Sequence, residues 1–316
     1  MENSLKGKII KGVGGLYSVR VLDGDSSYFG KTVRCRARGS FRHNGMTPLP
    51  GDLVILAYDG KTESDDEGKF VIDSIVDRRN ALIRPPMANL DFLFVTMAAA
   101  SPSPILSTVD KLISIAEHNK IEPVVVITKC ELDENKAMEI KDIYTKSGFE
   151  CFSLSAAENV GIEPIDEFIE KNLKQKTAAF AGASGIGKST LLNRLFPDLE
   201  LSTSEISRKI ERGRHTTREV ELFPLSAAPD CGYIADTPGF SMLDFKRFDF
   251  FEKEDLVNNM REFSPFIGEC RFTKCSHTKE QGCAIIQAVK DGIIPLSRHQ
   301  SYVELYDILK TRKKWD

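Results

Sequence analysis

The run Gly182-Ala183-Ser184-Gly185-Ile186-Gly187-Lys188-Ser189 fits G-x-x-x-x-G-K-[ST], the pattern of a loop that wraps a polyphosphate. Its glycines let backbone N–H groups turn inward around an anion. The helix that follows adds the positive end of its dipole. In such a loop Lys188 reaches the β- and γ-phosphates, Ser189 holds magnesium, and Thr190 stands beside them at the helix start. The preceding residues, Thr177-Ala178-Ala179-Phe180-Ala181, read as a short buried strand. The following ones, Ser189-Thr190-Leu191-Leu192-Asn193-Arg194-Leu195, read as a helix. That strand–loop–helix context separates a nucleotide site from a Gly-rich turn.

A second phosphate-side element lies downstream. Gly232-Tyr233-Ile234-Ala235-Asp236-Thr237-Pro238-Gly239 is an apolar strand ending in D-x-x-G. Asp-Thr-Pro-Gly alone also makes a good turn. After a phosphate loop, the Asp falls near the magnesium shell and the Gly239 N–H near the γ-phosphate. Between the two motifs, Glu211-Arg212-Gly213-Arg214-His215-Thr216-Thr217 is polar and carries paired threonines. It suits a switch loop closing on magnesium and the γ-phosphate, with Thr216 and Thr217 as its contacts.

The base-recognition elements come before the phosphate loop. Pro123-Val124-Val125-Val126-Ile127 is a β-branched run and so a buried strand. It ends in Thr128-Lys129-Cys130-Glu131, similar to an [NT]-K-x-D loop in which the Lys stem covers a purine and the carboxylate accepts from guanine. A further strand, Cys151-Phe152-Ser153-Leu154, ends in Ser155-Ala156-Ala157, similar to the S-A-K loop that backs guanine. The usual GTPase motif order is therefore rotated.

On this order and these motifs, over essentially the whole chain, the sequence resembles the circularly permuted GTPases of the RsgA type. The resemblance implies assistance in late assembly of the small ribosomal subunit, with GTP hydrolysed to GDP and phosphate. It also implies that His215 orients the attacking water. Phe240, directly after the D-x-x-G element, has no hydrogen-bonding group for that task. Slow intrinsic hydrolysis, stimulated by the partner, is the expectation. One position departs from the family pattern: Glu131 stands where Asp is usual. Glu is one methylene longer and keeps two acceptor oxygens.

Cys270, Cys275, His277 and Cys283 have the spacing Cys-x4-Cys-x-His-x5-Cys. Three thiolates and an imidazole complete a tetrahedral zinc shell with no position left for a catalytic water. The expected metal is one structural zinc. Cys35, Cys130, Cys151 and Cys231 stand apart and read as free thiols of a reducing, cytoplasmic compartment.

The elements that must position these groups fall into three regions. The chain has 316 residues, 41% of them apolar, and a net charge of −3, which is ordinary for a multidomain soluble protein. No apolar stretch is long enough to span a membrane. The first fifty residues hold nine basic side chains against three acidic ones. Arg34, Arg36 and Arg38 alternate and so share one strand face, and Phe41, Arg42 and His43 follow at once. Short strands separated by Gly-containing turns suggest a small all-β module resembling the family's OB barrel, with Arg34, Arg36, Arg38 and Arg42 as its RNA contacts. The acidic tract Glu63, Asp65, Asp66 and Glu67 reads as part of an exposed hairpin directed away from RNA.

The expected architecture is a multidomain α/β chain. It comprises an OB-type β-barrel over 1–78, a circularly permuted P-loop GTPase domain over 79–242 and a helical zinc-binding domain over 243–316. The expected partners are GTP/GDP and the small ribosomal subunit with its rRNA, without membrane, for a monomer. The basic tail at 310–314 suits RNA contact and simple solvation equally. Two other classes stay open, a metabolic P-loop ATPase or kinase and a non-enzymatic RNA-binding scaffold. A nucleotide panel and a turnover assay separate them.

Overall fold

The computed structural model describes residues 4–23, 26–39, 41, 46–58, 67–197, 220–228, 230–236 and 251–311. The chain divides into two compact units. The first is Met1–Phe92, Phe168–Phe180 and Phe196–Phe240; the second is Leu93–Glu167, Ala181–Leu195 and Ser241–Asp316.

The first unit opens with β1 (Ser4–Val13), β2 (Leu16–Val21), β3 (Thr32–Ala37), β4 (Leu53–Tyr58) and β5 (Glu67–Ile75). Their order is β1-β2-β3-β5-β4, and β4 returns to pair with β1, so the sheet closes into a barrel. Period-two alternation fills it: Val19, Val21, Val33, Cys35, Val54, Leu56 and Ile72 form its core with Ile9, Tyr17 and Phe70. A closed five-stranded barrel of this size has the OB-type architecture. A two-stranded hairpin, β6 (Ala81–Leu82) and β7 (Met87–Ala88), follows. Gly51 at φ +93° lets the barrel backbone approach it, because a Cβ there would run into the Ala88 carbonyl.

The second unit holds β8 (Phe92–Ala98), α1 (Leu106–His118), β9 (Glu122–Thr128), α2 (Glu134–Lys146) and β10 (Glu150–Ser153). The strand order is β10-β9-β8, with β9 and β10 parallel. Every residue of β8 is buried, and all of β9 but Glu122, as expected for strands covered on both faces. On α1, Val109, Leu112, Ile113 and Ala116 recur at the helical spacing that the sequence predicts for a sheet-covering stripe, and all four are buried. Asp133 caps α2, its carboxylate accepting from the Lys136 N–H at 2.9 Å.

Next come α3 (Ile162–Asn172), β11 (Thr177–Ala181), α4 (Lys188–Leu195), β12 (Glu221–Pro224) and β13 (Tyr233–Asp236). In the first unit β11 pairs parallel with β13, and β13 antiparallel with β12. β1 connects this sheet to the barrel: residues 4–8 pair with β4, and beyond a bulge Lys11 pairs with Glu221 of β12. The C-terminal region of the second unit has two 3-10 segments, Leu256–Asn259 and Arg261–Phe266, then α5 (Ala284–Lys290) and α6 (Leu296–Thr311). No described helix is long and apolar enough to cross a membrane.

The basic surplus of the first fifty residues is smaller on the surface than in the sequence. Lys8 and Arg20 are buried, the former donating to Thr177 Oγ1 at 2.9 Å and the latter to the carbonyls of Ala227 and Ala228. Lys11 pairs with Glu221 and Arg38 with Asp73. The acidic residues Glu63, Asp65 and Asp66 lie outside the described residues, as does the side chain of Glu67.

Candidate functional site

β9 and β11 each end in a loop that carries polar groups out of a buried strand. Residues 183–185 of the phosphate loop are exposed, Gly182 and Ile186 are buried, and Lys188 opens α4. Gly182, Gly185 and Gly187 have φ of +156°, +78° and +88°, values that L side chains rarely adopt. Gly182 also has no room for a Cβ, which would strike the carbonyl of Thr96 on β8. Thr96 Oγ1 donates to the Ala181 carbonyl at 2.6 Å and so fixes where the loop begins.

The Thr128-Lys129-Cys130-Glu131 segment packs directly on this loop. Thr128 Oγ1 lies within hydrogen-bonding reach of the carbonyls of Ile186 and Met97, the latter at 3.0 Å. Lys129 takes the left-handed conformation, φ 55° and ψ 38°. Its Nζ donates to the carbonyls of Gly185 at 2.7 Å and Ser101 at 2.6 Å. The ammonium thus holds the phosphate loop. The Lys129 stem runs past Gly187, with Cε 3.7 Å from where a Cβ would stand, an ordinary contact; it is the φ of +88° that calls for glycine there.

Beyond Lys129, Glu131 Oε2 is buried with no hydrogen-bond partner among the described residues. A buried unsatisfied carboxylate oxygen is costly, and one in a base-recognition loop has the chemistry to accept from a donor edge. Cys130 belongs to the same turn, its N–H donating to the Leu154 carbonyl at 3.2 Å. Ser155 is fully buried and its Oγ accepts from the Glu158 N–H, which shapes the loop through Ala156. Arg194 at the end of α4 donates from Nε and Nη2 to Asn159 Oδ1, at 2.7 and 2.5 Å, and ties that loop to the phosphate-loop helix. Sequence reasoning missed Thr96, Arg194 and Asn159, because their partners are distant in the chain and no local pattern marks them.

Ser189 and Thr190 are exposed on the first turn of α4. The β11–β13 register, Ala179↔Ala235, brings Asp236 level with the end of the strand that leads into the phosphate loop. His215, Thr216, Thr217, Gly239 and Phe240 lie outside the described residues, as does the side chain of Asp236.

The four expected metal ligands converge. One ligand atom from each of Cys270, Cys275, His277 and Cys283 lies within 4.8 Å of the others. His277 Nδ1 is 3.4 Å from both Cys270 Sγ and Cys283 Sγ, and those sulfurs are 3.8 Å apart. Metal–ligand bonds of about 2.3 Å to sulfur and about 2.0 Å to nitrogen require tetrahedral edges of about 3.8 Å between sulfurs and about 3.5 Å from sulfur to nitrogen. The residues therefore fit a four-coordinate zinc ion. Burial lowers the His277 pKa, favouring the neutral imidazole that ligates. Burial also raises the thiols of Cys275 and Cys283, whose protons a cation must displace.

On the barrel, Arg34, Arg36 and Arg38 are exposed and alternate with Val33, Cys35 and Ala37, as the period-two reading requires. Phe41 is partly buried and packs against the barrel core. Arg42 lies outside the described residues.

Comparison with known proteins agrees with this geometry. The chain matches the family models for the RsgA GTPase over residues 75–246 and for the RsgA N-terminal domain over residues 6–65. It is 41% identical over 313 residues to the small ribosomal subunit biogenesis GTPase RsgA of Bacillus pumilus, covering 98% of each chain. It is 38% identical over 311 residues to that of Alkaliphilus metalliredigens, covering 98% of this chain and 99% of the relative. Among solved structures it resembles YjeQ from Thermotoga maritima, with a TM-score of 0.80 and 30% identity over 98% of this chain and 100% of that one. It also resembles YloQ, a circularly permuted GTPase, with a TM-score of 0.75 and 33% identity over 98% and 96%. With an OB-type barrel, a phosphate loop that follows its base loops and a Cys3His cluster near the end, the chain belongs to the RsgA family of circularly permuted GTPases.

Proposed function

We propose that the protein hydrolyses GTP to GDP and phosphate and, as a cytoplasmic monomer, assists late maturation of the small ribosomal subunit. The observation that carries this reading is the clamp of Lys129 Nζ on the Gly185 carbonyl, together with a Glu131 carboxylate oxygen that is buried without a partner among the described residues. It supports a reading in which the two loops act together and Glu131 offers an acceptor to guanine. The metabolic ATPase or kinase leaves that acceptor without a purpose. The inactive scaffold leaves the intact phosphate loop without one.

In this reading residues 182–190 hold the phosphates, Lys188 neutralises the β- and γ-oxygens, and Glu131 accepts from guanine. Thr128, Lys129, Cys130, Ser155 and Ala156 form the base pocket. Ser189 and Thr217 hold magnesium, which supplies charge stabilisation at the γ-phosphate. Asp236 supports the magnesium shell, Thr216 and Gly239 close on the γ-phosphate, and His215 orients water. One zinc ion on Cys270, Cys275, His277 and Cys283 crosslinks the C-terminal region without taking part in chemistry. Arg34, Arg36, Arg38 and Arg42 meet rRNA phosphates, and the zinc region offers a second contact. The corresponding domains are 1–78, 79–242 and 243–316. A binding panel tests the nucleotide assignment: GTP and GDP should bind at least tenfold more tightly than ATP and ADP, and equal affinities would contradict it.

A further inference from the structure

Between His277 and Cys283 lies Glu280, a carboxylate that ligates nothing in the cluster and yet is enclosed by the loop that carries it. One oxygen accepts from the Ser276 N–H at 2.9 Å and from the Ser276 hydroxyl. The other accepts from the N–H groups of Thr278 and Lys279, both at 3.1 Å. The Ser276 and Thr278 hydroxyls are 2.8 Å apart and complete the ring. Backbone N–H groups that converge like this around a left-handed residue form an anion-binding nest. Here the anion is the chain's own side chain.

The residue at the centre of that nest is His277, with φ +58°. This conformation is uncommon for a residue with a Cβ and persists only where the surroundings impose it. It matters because His277 Nδ1 must face the sulfurs of Cys270 and Cys283. Behind the loop, the His277 carbonyl lies 2.7 Å from His299 Nε2, and the Ser276 carbonyl accepts from the Tyr302 hydroxyl at 2.9 Å. Both of these partners sit on α6. The loop is thus held by α6 on its carbonyl side and by Glu280 on its N–H side. Burial works against the Glu280 charge, but the Ser276 hydroxyl and the backbone amides more than offset it and bring the carboxyl down to about 2.

We propose that Glu280 is a positioning residue for the metal centre, its carboxylate filling the 276–279 backbone nest and holding His277 in the left-handed conformation that aims Nδ1 at the cysteine sulfurs. The inference rests on the zinc reading given above. It assigns to a non-ligand the task of presetting the imidazole ligand before metal arrives.

The test uses the full chain, stripped of metal under reducing conditions and titrated with cobalt(II). The thiolate-to-cobalt charge-transfer and ligand-field bands report ligand set and geometry, and zinc affinity is read by competition with a chelator. Glu280→Ala should bind zinc about 10–100-fold more weakly, the usual cost of losing an outer-shell partner, with altered ligand-field bands. Glu280→Gln keeps an acceptor oxygen and should recover part of the loss; it carries the test if the alanine variant does not fold. Glu280→Asp keeps the charge but falls short of the nest, and should behave like Glu280→Ala. Wild-type affinity and spectrum in both Glu280→Ala and Glu280→Gln would overturn the inference. So would a wild-type-like Glu280→Asp beside a Glu280→Gln as weak as alanine, since charge alone would then account for the effect. A wild-type chain that takes up neither metal would overturn the zinc reading itself, and the inference with it.

Discussion

The proposed base recognition turns on one side chain, Glu131. Its Oε2 is buried and unpartnered among the described residues, beside a Lys129 already committed to two carbonyls. Glu131→Ala should therefore reduce the preference for GTP over ATP by about 10–100-fold, on the order of 1–3 kcal/mol for a lost hydrogen bond to a charged group. Competition binding checks this, and an unchanged preference would place guanine recognition elsewhere. Lys8 is a second case, with consequences for stability. Burial lowers its pKa from 10.5 to about 8, against the opposing attraction of Asp91. It sits 4.5 Å over the Tyr233 ring. Between pH 8 and 10.5 the unfolded chain binds more protons at this site, so its contribution rises with pH, is complete above 10.5 and is lost as pH falls through about 8. Against Lys8→Met, the wild type should gain about 3 kcal/mol of relative stability across that window. Urea unfolding of both proteins at several pH values measures it, and parallel curves would contradict the assignment.

At the scale of elements, what was legible in the sequence was local. The phosphate loop, the buried runs at β9 and β11, the α1 stripe and the metal-ligand spacing each lie within a few residues of one another, and each forms as expected. What was not legible depends on partners far along the chain. The basic count of the first fifty residues does not show that Lys8 of β1 is buried against Thr177, which is 169 residues away, or that Lys11 meets Glu221, which is 210 away. Within the second unit, Arg298 of α6 is fully buried between Asp110 of α1 and Glu262, at 2.6 Å from each. Tyr144 of α2 donates to the same Asp110 oxygen at 2.9 Å. This network fastens α6 to α1 and α2, and the separation of 188 positions between Arg298 and Asp110 hides it from any local pattern. Removing one member of a buried ion pair strands the others, at a cost of about 3–5 kcal/mol. Arg298→Met should lower stability by that order. Arg298→Lys should recover little, since one ammonium cannot supply the fork that meets both carboxylates. Thermal unfolding checks both, and a loss under about 1 kcal/mol would show that the network is dispensable.

For the whole molecule, the rotated motif order has a mechanical consequence. The D-x-x-G element leads directly into the zinc-bearing region, and the barrel lies at the opposite end of the chain. In the proposed reading, the residues that follow the γ-phosphate sensor in sequence belong to the metal-binding region. Phe240 has no hydrogen-bonding side chain to orient water, so the proposed function expects docking on the ribosomal particle to complete the site. The most direct measurement is GTP turnover by the purified protein with and without small ribosomal subunits, run in parallel with Lys188→Ala. The wild type alone should turn over slowly and be stimulated at least tenfold by subunits, while a folded Lys188→Ala protein stays inactive in both conditions. Turnover indifferent to subunits, or retained by Lys188→Ala, would contradict the reading of this chain as a ribosome-dependent GTPase.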